Sequence, residues 1–382
     1  MYATLFLATT LVTPSADPRE ESRARAFELV QRLGDSSFKV RESASDQLVR
    51  LGAAAVDALR KGLTHPDAEV SERCRKLLPQ ALDFHLQEQI DKFLAKPDGP
   101  IPEDLPGLKR WLKTTGSSKE SRELYAQMVK DNRRLLIEVE ANPDLATQKY
   151  QAFAAEIYNR ARVGTVDARR ELITRSEMVV FFFLGGDPNC RKGSSPTGTV
   201  PYIQALQFVN GTQASDLLTG TGASPAFQKI FLAWLEQERY LSLVRTGFQL
   251  AVRANLKEAG PIAIKIALDK TTIPSARSYA MLSAAKLFGP DDIKKLDAIM
   301  DDKTVVGRTT LNGEVMTTEL RDIALGISVQ ATGQKMADYG FDRFRDTSSP
   351  GLITSYLYYA QSEKKREEAF QKWKEWLAKN KK

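Results

Sequence analysis

Apolar residues recur along the first part of the chain at the spacing of one helix face. Val40, Ala44 and Leu48 stand at i, i+4 and i+8, and thirty residues on Val70, Cys74 and Leu78 repeat the set. With the helix around Val56, Leu59 and Leu63, the stretch from about Phe27 to Leu94 reads as two tandem helical hairpins. A helix pair this short cannot bury its apolar face alone and must stack on a neighbour, so the pattern predicts a solenoid. A first helix over Ser22–Leu33 precedes the hairpins and stops at Gly34. Pro79 is expected to end one helix at Leu78 and to open the next, which carries Leu82, Leu86, Ile90 and Phe93.

Lys96 to Pro106 holds four prolines and reads as an extended linker. Beyond it the periodicity predicts helices near Leu108–Leu112, Ser118–Val139 and Leu145–Val163. Met178–Leu184 closes the most apolar run after the N-terminal segment and is expected to be a central buried helix rather than a strand. Residues 185–224 change character, with seven glycines among many Ser, Thr and Pro. A loop of that length tends to be functional or mobile. Helix pattern resumes over Phe227–Glu236, Tyr240–Asn255 and Ile262–Leu268. Arg277, Ala280 and Gly289 then match Arg321, Ala324 and Gly333 after a shift of 44 residues, within the period of helical repeats. Between them Asn312-Gly313 sits in a β-rich stretch, which predicts a small hairpin near 305–317. A helix over Lys364–Lys379 closes the chain.

The run Asp35, Val40, Arg41, Ala44, Leu48, Leu51 and Gly52, followed by an apolar helix and Pro66-Asp67, resembles the HEAT-like repeat of bacterial proteins, the type also found in bilin lyases. The resemblance is closest over residues 25–95 and returns over 275–335. It implies an all-α fold, an α–α superhelix of helical hairpins with the β-hairpin inserted, and a role in binding. The chain then divides into an N-terminal arm or signal (1–16), N-terminal repeats (20–95), linker (96–106), helical region (107–184), loop (185–224) and a C-terminal repeat region (225–382). The resemblance also implies that Arg41, Arg277 and Arg321, at equivalent repeat positions, each meet a carboxylate or carbonyl of a neighbouring repeat. For Arg41 the expected acid is Asp35 or Asp67. A ladder of guanidinium groups along one surface is the alternative.

Composition narrows the function. Net charge is +7 from 55 basic and 48 acidic residues. The excess is spread thinly: 25 basic against 24 acidic over 1–163, 16 against 12 over 164–299, and 14 against 12 over 300–382. Nucleic-acid binders concentrate such an excess on one face, so no specific nucleic acid is expected. Met1–Ala16 resembles a secretory signal with Ala16 at the cut, although no Lys or Arg precedes it and Pro14 sits badly there. A mobile arm or a misassigned start is the alternative; the balance favours an exported or periplasmic location over a cytoplasmic one. No run reaches the ~18 apolar residues that would cross a bilayer.

Little in the sequence points to chemistry. Cys74 and Cys190 cannot frame a disulfide fold in 382 residues, and Cys74 falls on a core position. His65 and His85 lack metal-ligand spacing, and His65 before Pro66 reads as a surface or capping residue. No Gly-x-Ser-x-Gly is present, and Lys192-Gly193-Ser194 has the wrong order for a phosphate loop. Neither a metal nor a cofactor is expected. Arg191 and Lys192, with Asp187 and Cys190, are candidates for a partner-binding loop. Trp373 and Trp376, with Phe370 and Leu377, form a stripe on the last helix that either caps the fold or meets a partner. The reading is a non-enzymatic scaffold for another protein. The alternatives are an enzyme on the same scaffold, of the DNA-base glycosylase or lyase type, and an envelope-associated structural component.

Overall fold

The computed structural model describes residues 17–96, 99–163, 173–192, 209, 211–311, 313–341 and 363–380. The fold is all-α with one small antiparallel hairpin. It divides into two compact units, Met1–Leu105 and Pro106–Lys382. The signal-like segment 1–16 lies outside the described residues.

In the first unit α1 (Pro18–Arg32) starts with Asp17 accepting from the Arg19 N–H, Pro18 at its first position and two glutamates in its first turn. α2 (Phe38–Leu51) ends at Gly52, whose φ of +55° suits a residue without Cβ. A 3-10 turn leads to α3 (Val56–Gly62) and then to α4 (Ala68–Ala95), capped by Asp67. Ala26, Leu29, Val30, Ala44, Leu48, Leu59, Val70, Cys74 and Leu77 form one core. At Gly62 a Cβ would stand 2.3 Å from Cys74 Sγ, so α3 approaches α4 where only glycine fits.

Two expectations are corrected here. α4 runs through Pro79 as one helix of 28 residues, so the second hairpin does not exist as such. Pro79 is exposed, as is Arg75, whose carbonyl it leaves without a helical donor, so water can take that bond. Burial of Cys74 and Leu77 before it and Ala81, Ile90 and Phe93 after it offsets the cost. With the helix unbroken, the buried stripe follows Cys74, Leu77 and Ala81, and Leu78 is only half-buried, as is Val40 at the entry of α2. Nor is the linker extended throughout, because its described residues turn at 103–106, with Leu105 and Pro106 buried.

The second unit begins with α5 (Leu108–Thr115), α6 (Lys119–Ala141), α7 (Ala146–Val163) and α8 (Arg175–Gly185). α6 bends at Asn132, whose φ/ψ of −123°/25° leave the helical region. α8 opens on a capping box between Thr174 and Glu177 and buries every residue from Met178 to Leu184. The apolar run is therefore a central helix, and its charged lead-in 164–172 lies outside the described residues. Phe182 meets Phe227 and Trp234 edge-on, while Phe183 and Tyr125 flank Trp111.

Of the expected loop 185–224, residues 193–208 and 210 lie outside the described residues. The remainder is not irregular throughout, since Pro188–Arg191 forms a 3-10 turn and α9 (Thr212–Leu218) a helix. Next come α10 (Pro225–Gln237), α11 (Leu241–Arg253), α12 (Ala259–Leu268), α13 (Pro274–Ala284) and α14 (Pro290–Lys295). β1 (Val305–Leu311) pairs with β2 (Glu314–Glu319), with Gly313 at φ +83° in the turn between them. α15 (Leu320–Ala331) and α16 (Glu363–Asn380) complete the unit. Among the described residues no helix is long and apolar enough to cross a membrane.

Candidate functional site

The three repeat arginines turn inward. Arg41 Nη1 donates to the Asp35 carbonyl at 2.7 Å and its Nε lies 3.9 Å from Glu69 Oε1. It meets neither expected carboxylate, because Asp35 Oδ1 accepts from the Ser37 N–H and Asp67 Oδ1 from that of Glu69. Arg277 donates to the Ala267 carbonyl and to Asp302 Oδ2, at 2.7 and 2.6 Å. Arg321 donates to Glu319 Oε2 and Glu363 Oε1, at 2.6 and 2.5 Å. Arg277 and Arg321 are buried, so no guanidinium ladder faces outward.

The loop candidate Arg191 is likewise committed. Its Nη2 donates to Glu238 Oε2 at 3.0 Å, and Glu238 is 0% exposed at the end of α10. Glu238 Oε1 accepts from the backbone N–H groups of Arg239 and Tyr240, which completes its bonds. Beside it Cys190 is 1% exposed; burial first, then Asp187, pushes its thiol up to about 12. That thiol is a poor nucleophile. Lys192 alone of this group is exposed. Trp373 is buried and stacks on half-buried Trp376 at 5.1 Å, and with Phe370 and Leu377 they pack on the core of α12, α13 and α15. The stripe caps the fold.

His65 serves its own turn, with Nδ1 accepting from the Asp67 N–H at 3.2 Å. His85 Nε2 lies 3.3 Å from Asp104 Oδ2. Among the described residues no group of three His, Cys, Asp or Glu side chains could hold a metal ion.

Among the described residues two open surfaces, neither of which stood out in the sequence, are lined by polar side chains. In the first unit the solvent face of α2 lines a groove of about 480 Å³ with Phe38, Lys39, Glu42, Ser43, Asp46, Gln47 and Arg50. Phe38 is 66% exposed there. Glu42 pairs with Arg73 at 2.9 Å, whereas Lys39, Asp46 and Arg50 form no ion pair among the described residues. In the second unit a groove of about 520 Å³ runs between α6 and the start of α8. Glu120, Glu123, Leu124, Gln127 and Asp131 form one wall, Thr174, Arg175 and Ser176 the other. The 3-1-3-4 spacing along α6 was visible in the sequence, but only the bend and the seat of α8 make it a wall.

Comparison of the chain with protein-family models, with curated proteins and with solved structures finds no match.

Proposed function

We propose that this protein is a non-enzymatic scaffold that binds another protein through the exposed faces of HEAT-like helical hairpins. The observation that carries the reading is the solvent face of α2. Its opposite face, Ala44, Ser45 and Leu48, is buried, and the exposed face sets one large aromatic ring beside Lys39, Asp46 and Arg50, which form no ion pair among the described residues. Interfaces draw their energy from aromatic and arginine anchors inside a polar rim, and Phe38 with Arg50 supplies both kinds. The inward repeat arginines fit the same reading, since they are spent on carbonyls and carboxylates of the fold and leave recognition to the helix faces.

The test is affinity capture of the tagged full chain against Phe38→Ala and Lys39→Glu/Arg50→Glu variants whose melting temperatures match the parent. A partner retained by the parent and lost from both variants is expected. Capture unaffected by either change, or no protein retained above a tag-only control, would defeat the reading.

A further inference from the structure

We propose that the groove between α6 and the start of α8 is a second docking surface, and that its occupant is a basic segment of a partner protein presenting two Lys or Arg side chains about 12 Å apart. The inference rests on the protein-binding reading above. It begins with a contrast of charge. The chain carries +7 overall, yet this groove sets three carboxylates against one guanidinium.

The three acids are not equivalent. Glu120 is half-buried and engaged, its carboxylate accepting from Ser224 Oγ and from the Ala226 N–H at the start of α10. Glu123 and Asp131 are exposed. Glu123 has only a loose approach from Lys119 at 3.8 Å, both side chains being largely in water, and Asp131 accepts from Gln127 at 2.6 Å on the same helix. Such contacts hold an exposed carboxylate weakly. The two acids stand eight residues apart on α6, so about 12 Å separates them along the axis at 1.5 Å per residue. Gln127 lies between them, exposed and with its amide on Asp131, and Leu124 forms an apolar floor that would take the methylene stem of a lysine or arginine. Opposite, Arg175 is exposed and forms no ion pair among the described residues, so a carboxylate of the occupant has a seat beside the two cations.

A peptide reaches both acids with cations four residues apart when extended, at about 3.3 Å per residue, or eight apart when helical. An evenly smeared positive charge has no such preference. The bend at Asn132 lies one residue beyond Asp131 and is held by Asn132 Nδ2 donating to Ser176 Oγ at 2.7 Å. The acidic face is thereby fixed against the second wall.

The probes are labelled alanine-based helical peptides of equal net charge, one with lysines eight residues apart and one with adjacent lysines, titrated by fluorescence anisotropy against the full chain at low and high salt. The spaced peptide is expected to bind more tightly, and salt to weaken it. Glu123→Gln/Asp131→Asn should cost it roughly tenfold in affinity and abolish the preference for spacing. Glu367→Gln/Glu368→Gln makes the same change of charge on exposed positions of α16 and should leave binding intact. Equal binding of the two peptides, or equal loss in both variants, would overturn the proposal. If peptide binding fails while capture of a partner through α2 survives, this groove is refuted and the scaffold reading stands. If α2 captures nothing and the spaced peptide still binds, the scaffold reading falls and this surface remains.

Discussion

Arg366 of α16 grips Asp322 at the start of α15, with Nε 3.0 Å from Oδ1 and Nη2 3.2 Å from Oδ2. Asp322 is 0% exposed, and its Oδ2 also accepts from the Glu319 N–H at 2.8 Å. The guanidinium extends to Glu363 Oε2 at 2.5 Å and to the Thr317 carbonyl at 3.0 Å. One side chain of the last helix is thus bonded to the end of β2, the cap of α15 and its own first turn.

Removing that cation strands the buried carboxylate of Asp322, whereas Glu319 and Glu363 keep Arg321. Arg366→Met is therefore expected to destabilise the second unit by about 3–5 kcal/mol, as breaking a buried pair from one side does. Asp322→Asn should cost far less, because two arginines would then face Glu319 and Glu363 in balance. Denaturant unfolding of both variants checks this, and equal losses would show that the network is held by packing alone.

The same carboxyl gives stability a pH signature. Burial pushes Asp322 up to about 6, against the pull of the Glu319 N–H and Arg366. Its folded value exceeds the ordinary 3.8, so its contribution is full below that value and is lost as pH rises through about 6. Asp269 and Asp302 run the other way. Burial raises them, but hydrogen bonds from Thr271, Thr272 and Arg239 in one case, and from Thr304 and Arg277 in the other, hold both below the usual range. Their contributions are present above the ordinary value and fall away in stronger acid. Between pH 7 and 4.5, melting temperatures of the parent should rise relative to Asp322→Asn. A constant offset between the two would contradict the assignment.

Gly62 is the most tightly enclosed of the described glycines of the first unit. A methyl there would meet Cys74 Sγ at 2.3 Å and Val30 Cγ1 at 3.2 Å inside a filled core. Gly62→Ala is expected to cost about 1–3 kcal/mol through overpacking. Cys74→Ala removes the obstructing sulfur, so the double variant should lose less than the sum of the single changes. Strict additivity would place the strain elsewhere.

Helix periodicity was legible because burial imposes it. Ala44, Leu48, Val70 and Cys74 are buried as their spacing requires, and Met178–Leu184 is uniformly apolar because that helix is surrounded. The hairpin was legible from Asn312-Gly313, as a two-residue turn asks for a residue at positive φ. Pro79 misled because its cost is local and the apolar stripe on either side outweighs it. Arg191 misled for the opposite reason. A basic residue in a glycine-rich stretch looks free until the chain brings Glu238, 47 positions on, against it. Arg366 left a signal that was passed over, for it precedes Ala369 and Trp373 by three and seven residues on one buried stripe. The grooves were not legible at all, since a wall needs the second helix to be placed.

Whether Arg191 serves a partner or the fold can be decided by rescue. Its guanidinium is the only side-chain donor the described residues show for Glu238, whose other bonds come from two backbone N–H groups. Taking Arg191 away leaves an unpaired carboxylate that is 0% exposed, which costs about 3–5 kcal/mol. Arg191→Met should therefore lower the melting temperature sharply. Glu238→Gln keeps an oxygen to accept from the Arg239 and Tyr240 N–H groups while removing the charge. Combined with Arg191→Met it should recover much of the loss, because no ion is then stranded. A partner-binding arginine would behave otherwise, since the single change would spare stability and abolish capture, and the second change would rescue nothing. Thiol labelling gives an independent readout. Cys190 sits beside Arg191 with its thiol pushed up to about 12, and it should resist labelling in the parent and react once Arg191→Met loosens the turn.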